Sequence, residues 1–129
     1  MNETAERWLA FAREDLRVAE VVLDEAIFNQ ACFHAQQCVE KALKSLLAHQ
    51  SQTPPRIHAI ADLLGLLPAE WFVELRDGLL RMDDYYIPTR YPDALPGSLP
   101  EGLPGRAEAE EAVNLAHRAL ERVSQLMRG

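Results

Sequence analysis

The sequence predicts an all-α fold, an antiparallel bundle of four long helices and one short helix. Three observations lead there. Apolar residues recur at three- and four-residue intervals in four separate stretches, the spacing that gathers them on one side of a 3.6-residue helix. Proline and glycine cluster between those stretches, where they end helices. The chain has 129 residues, 48% hydrophobic and 26% charged, enough for one compact domain over 1–129 with a single core.

The first helix is expected from about Thr4 to about Glu25, with Thr4 or Asn2 as N-cap. Its buried stripe is Trp8, Ala12, Leu16, Ala19, Val22, Leu23 and Ala26. Asp15 falls inside this stripe, and an ionised carboxylate there needs a partner or a raised pKa. If the first two helices form a hairpin turning near Ala26 to Asn29, Asp15 lies level with Gln37 to Lys41, and Lys41 is its natural partner. The alternative is that Asp15 pairs with arginines at the bundle edge and only fixes register.

The second helix, Phe28 to Gln50, organises the rest. Phe28, Ala31, Ala35, Cys38, Val39, Ala42, Leu43 and Leu46 gather on one face. Opposite run Phe33, Gln37, Glu40, Lys41 and Lys44, with His34 at the edge. Leaving the Phe33 ring in water forgoes roughly 1.5–3 kcal/mol of burial. The helix is therefore expected to bury two faces, the second against a neighbouring helix, a partner subunit or a ligand. Cys32 and Cys38 lie about 9 Å apart along the helix axis and point to different sides, so both are expected as reduced, buried thiols.

SQTPPR ends the second helix, and Ile60, Leu63 and Leu64 mark a short third one that begins near His58 and stops around Gly65. His58 is either a site residue or a packed helix-start residue bonded to backbone. Pro68 suits the first turn of a fourth helix, whose seam is Phe72, Leu75, Leu79, Met82 and Tyr86 and which ends near Ile87-Pro88. In the following segment, 88–105, Pro88, Pro92, Pro96, Pro100 and Pro104 recur every fourth residue, a spacing that fits a long, partly extended loop. The last helix runs from Arg106 or Ala107 to about Met127, with glutamates in its first turns and arginines toward its end.

The formal charge of −7 opposes broad binding to DNA or RNA. Eleven of the 13 basic residues are arginine, and both lysines fall on the second helix. No apolar run approaches the roughly 20 residues of a membrane span, and MNETAERW lacks a secretion-signal layout, so a cytoplasmic, non-membrane location is expected. His34 and Cys38 are spaced i, i+4, but Cys38 belongs to the core arc and no second helix supplies a partner, so no metal site is expected.

FHAQQCVEKALKSLL, preceded by WLAFAREDL and followed by His58, Leu63 and Arg90-Tyr91-Pro92-Asp93, resembles the HEPN domain family (higher eukaryotes and prokaryotes nucleotide-binding), in its small single-domain prokaryotic branch. The resemblance spans nearly the whole chain. It implies a helical bundle that dimerises, is associated with nucleotide binding, and often acts beside a minimal nucleotidyltransferase, in a toxin–antitoxin-like setting. Many members are ribonucleases with Arg and His separated by four to six residues. His34, His49, His58 and His117 have no arginine at that distance upstream, which argues against an enzyme of that type.

The expected function is a non-catalytic interaction module, homodimeric, binding a nucleotide such as ATP, a nucleotidyltransferase partner, or both. Arg90 offers a bidentate phosphate grip, Lys41 and Lys44 point charges, Tyr91 or Phe33 a face for a base, and Asp93 an acceptor for a sugar hydroxyl. Arg90 and Asp93 equally fit a salt-linked turn, and Gln37, Glu40 and Lys44 a two-fold helix interface. The alternatives are a ribonuclease with an atypical site, using His58 or His34 with Arg90, and a purely structural dimer.

Overall fold

The computed structural model describes residues 2–85 and 104–129. Five α-helices appear among them: α1 Glu3–Asp24, α2 Phe28–His49, α3 Ile60–Leu64, α4 Arg76–Arg81 and α5 Arg106–Arg128. No strand is present among the described residues, as the all-α reading requires. Arg90, Tyr91 and Asp93, the rest of the proline-rich segment up to Leu103, and Tyr86 at the end of the fourth seam lie outside the described residues.

Asn2 caps α1, its Oδ1 accepting from the Ala5 N–H at 3.2 Å while its amide donates to the Ala48 carbonyl at the far end of α2. The two helices form the expected hairpin. α1 ends in a Schellman motif: the Ala26 N–H donates to the Leu23 carbonyl and the Ile27 N–H to the Val22 carbonyl. Ala26 holds φ of 60° there, in the left-handed region where glycine is usual, and it is exposed in the turn and not part of the buried stripe. α2 ends the same way, with Ser51 at φ 63°.

α5 packs on both long helices. The Arg106 guanidinium sits over the Phe28 ring and Met127 Sδ receives the Ser45 hydroxyl at 3.3 Å, so α5 runs alongside α2 in the same direction and antiparallel to α1. The contact surfaces are rich in alanine: Ala5, Ala12 and Ala19 on α1, Ala31, Ala35 and Ala42 on α2, and Ala109, Ala112, Ala116 and Ala119 on α5 are all fully buried. Larger residues, among them Leu43, Leu46, Leu47, Leu63 and Leu79, complete one hydrophobic cluster. Cys32 and Cys38 belong to it. Burial pushes both thiols up to about 12, with Glu108 adding to the effect at Cys32 and Asp15 at Cys38.

The fourth helical stretch keeps its seam but not one continuous helix. Phe72, Leu75, Leu79 and Met82 are buried as expected, yet they lie on a 3-10 turn, Ala69–Phe72, then α4, then a second 3-10 turn, Met82–Tyr85. The cause is visible in the backbone. In an α-helix the Trp71 carbonyl would accept from Leu75, but here it accepts from Arg122 Nε of α5 at 2.8 Å, and the Leu75 N–H turns to Phe72 instead. Gly78 then lets α4 lie close on α5, since a Cβ there would stand 2.8 Å from a methyl of Leu115. No described helix is long and apolar enough to cross a membrane.

Left-handed backbone costs an L-residue about 1 kcal/mol or more that glycine does not incur. Ala26→Gly and Ser51→Gly are each expected to raise the melting temperature by a few degrees, nearly additively in the double variant. Thermal unfolding followed by circular dichroism checks this, and a fall in either single variant contradicts it.

Candidate functional site

The polar row of α2 is covered largely from within the protein. Asp15 reaches it from α1, only 9% exposed. Its Oδ2 accepts from Lys41 Nζ at 2.5 Å and its Oδ1 from His34 Nδ1 at 3.0 Å. The expected Lys41 partner is present, and His34, one edge of the row, joins it. Burial alone would push the Asp15 carboxyl up, but the hydrogen bonds from His34 and Lys41, with their charges, outweigh it and hold the group below the usual carboxylate range. With Nδ1 on Asp15, Nε2 is the ring nitrogen on the side away from that carboxylate. Phe33 meets that ring edge-on, centroids 5.2 Å apart.

A second set lies on the other side of the row. Glu40 and Lys44 are 3% and 4% exposed, and Nζ donates to Glu40 Oε2 at 3.1 Å. Lys44 also sits over the Trp8 ring of α1, 5.3 Å from its centroid, where the ring face offsets part of its lost hydration. The His58 Nδ1 lies 3.3 Å from each Glu40 oxygen. Gln36, fully buried beside the core arc, donates to the His58 carbonyl at 3.3 Å and accepts from Gln37. The next residues are held from the opposite side, because Asp83 accepts from the N–H groups of Ile60 and Ala61 and so caps α3 from another element.

Asp15, Phe33, His34, Gln37, Glu40, Lys41 and Lys44 are thus brought to one face of α2. The two lysines of the chain are each held by a carboxylate that also holds one histidine. Gln36 and Asp83 complete the arrangement without having been singled out from sequence, and Trp8, read there as part of the α1 stripe, covers Lys44. The His58 side chain is 60% exposed, not packed, with Nδ1 on Glu40, and the backbone bond there is made by its own carbonyl, which accepts from the Gln36 side chain. Chemically the face offers oriented imidazoles, one accessible ammonium at Lys41 and amide groups. Among the described residues no group of three histidine, cysteine or acidic side chains is placed to hold a metal ion. A cleft of about 520 Å³ opens elsewhere, between Glu70–Leu75 and Arg118, Glu121, Arg122 and Gln125 of α5.

The family model described as HEPN domain matches residues 5–126. A curated relative from Methanocaldococcus jannaschii, named "Putative toxin MJ1304", is 27% identical over 135 residues, covering 96% of this chain and 88% of its own. The crystal structure of TT1696 from Thermus thermophilus superposes with a TM-score of 0.82 at 42% identity, covering 97% of this chain and 98% of that one. That of ST0689, described as an archaeal HEPN homologue, gives 0.75 at 33% identity over 95% and 97%.

Two measurements test the pairings. Because the folded Asp15 carboxyl lies below its ordinary 3.8, its stabilisation is present above that pH and lost as pH falls through the lower folded value. The stability gap between wild type and Asp15→Asn should therefore narrow below about pH 4 in urea unfolding. Glu40→Gln leaves the Lys44 ammonium buried without its carboxylate and should cost on the order of 3 kcal/mol, whereas Glu40→Leu combined with Lys44→Met should recover most of it. Equal losses in the single and double variants would show that packing, not charge, decides stability there.

Proposed function

The chain belongs to the HEPN domain family, and on that premise we propose that it is a helical interaction module, homodimeric and non-catalytic, whose outward α2 face binds a nucleotide, a minimal nucleotidyltransferase partner, or both. The observation that carries this reading is the double carboxylate pairing. It fixes His34 and Lys41 in place, while Gln36 holds Gln37, before any ligand arrives, which removes part of the ordering cost of binding. Lys41 and His34 each keep 27% of their side-chain surface exposed and supply the contacts. Lys44, buried under Trp8, is neutralised by Glu40 and supports the face from below. Arg90, Tyr91 and Asp93 complete the proposed nucleotide contact. A toxin–antitoxin-like role is part of the proposal, supported by the M. jannaschii relative with toxin in its name.

A second reading is favoured by one specific observation. His34 and His58 each have Nδ1 on a carboxylate, the orientation a general base requires, so a ribonuclease using one of them with Arg90 is the alternative. A purely structural dimer is the third reading.

Calorimetry with ATP and native mass spectrometry of protein purified from its own cells separate these readings. The module reading expects a bound nucleotide or a small partner protein, and an Arg90→Ala affinity at least about tenfold weaker at unchanged melting temperature. RNA cleavage that is lost in His34→Ala or His58→Ala would replace this reading with the nuclease one. A bare dimer that binds neither would leave only the structural role.

A further inference from the structure

The outward side of α1 carries a stripe that the core does not use. Arg7, Phe11, Glu14, Val18, Val21 and Glu25 follow one another at intervals of four and three, one side of a helix, and all are exposed. Phe11 is 51%, Val18 40% and Val21 53% exposed, three of the six large apolar residues left in solvent among the described residues. A surface helix usually carries charged and polar groups at such positions. The α2 row does not cover them: Trp8 and Asp15 reach that row, and the stripe begins beside them, Phe11 lying three residues from Trp8 and four from Asp15.

We propose that a second copy of this chain docks here, its α1 crossing the first in the antiparallel sense about a two-fold axis near Leu16. The proposal rests on the homodimeric reading above and assigns it a face. The stripe is complementary to itself when reversed. About Leu16, Phe11 falls opposite Val21 of the copy, Val18 opposite the methylenes of Glu14, and Arg7 opposite Glu25, each contact occurring twice as an isologous interface demands. The Glu14 stem covers Val18 while its carboxylate remains in water. A parallel crossing would instead set Arg7 on Arg7 and Glu25 on Glu25. Arg7 at present pairs with Glu3 within its own helix, 74% exposed, and such a pair is readily exchanged. One helix pair of this length, about 33 Å, buries an area at the low end of specific interfaces, so the dimer is concentration-dependent.

Sedimentation equilibrium of the full chain over a range of concentrations tests this. Phe11→Asp and Val21→Asp should each raise the dimer dissociation constant at least about tenfold, while Val73→Asp, 69% exposed on the wall of the α5 cleft, leaves it unchanged. Arg7→Glu and Glu25→Arg should each weaken the dimer by about threefold, and the two together should restore it. These positions are exposed, so melting temperatures at low concentration should stay put. A dimer indifferent to Phe11→Asp and Val21→Asp places the interface elsewhere and ends this proposal while the homodimeric reading stands. A chain that is monomeric at every concentration ends both, and failure of the charge reversals to restore the dimer overturns the antiparallel register.

Discussion

Two carboxylates taken out of water hold this molecule in register. Asp15 sits on α1 and Glu40 on α2, both nearly inaccessible, and neither is tolerable there without a cation and a second donor. Each finds a lysine of α2 and a histidine. The first set locks α1 to α2 at one level of the hairpin; the second locks the segment before α3 to the same helix. Hydrophobic burial along the alanine-rich contacts is non-directional, so sliding α1 by a turn would change it little. Sliding would strand Asp15 and Lys41. The ion pairs supply the register that the core leaves loosely specified.

That division explains what could be read from the sequence and what could not. The long helices follow from apolar periodicity, and Asp15 with Lys41 follows from counting residues back from a short turn. Those are local rules, or one step from local. The ends of α1 and α2 were legible to within one residue, Glu25 and Gln50 being their C-caps, although Ala26 and Ser51 occupy the left-handed positions where glycine would have announced the stop. The break in the fourth helical stretch depends on Arg122, 51 residues away in sequence, taking the carbonyl of Trp71. The same holds for Glu40 with His58 and for Asp83 capping α3. Gln36 lay between the core arc and the polar row, and nothing in its periodicity distinguished a buried amide from an exposed one.

The polar face of α2 is consequently part scaffold and part surface. Its deepest members, Glu40 and Lys44, serve the fold and shape the local field, while His34, Gln37 and Lys41 remain within reach of a ligand. A charge fixed in position and partly shielded from water acts more strongly on a bound anion than a mobile surface lysine does. Because Asp15 and Glu40 neutralise the two lysines, what this face offers in a chain of net charge −7 is positioned donors and not net positive charge.

The alanine contacts between α1, α2 and α5 carry a consequence for how sequence change is tolerated. Most cores fail when a large side chain is trimmed, because a cavity is left behind. At ten fully buried alanines there is almost nothing to trim. Sensitivity there runs the other way: each added methylene forces backbones apart along a shared contact line. Substitution in this molecule is therefore constrained by an upper limit on side-chain volume along three helices.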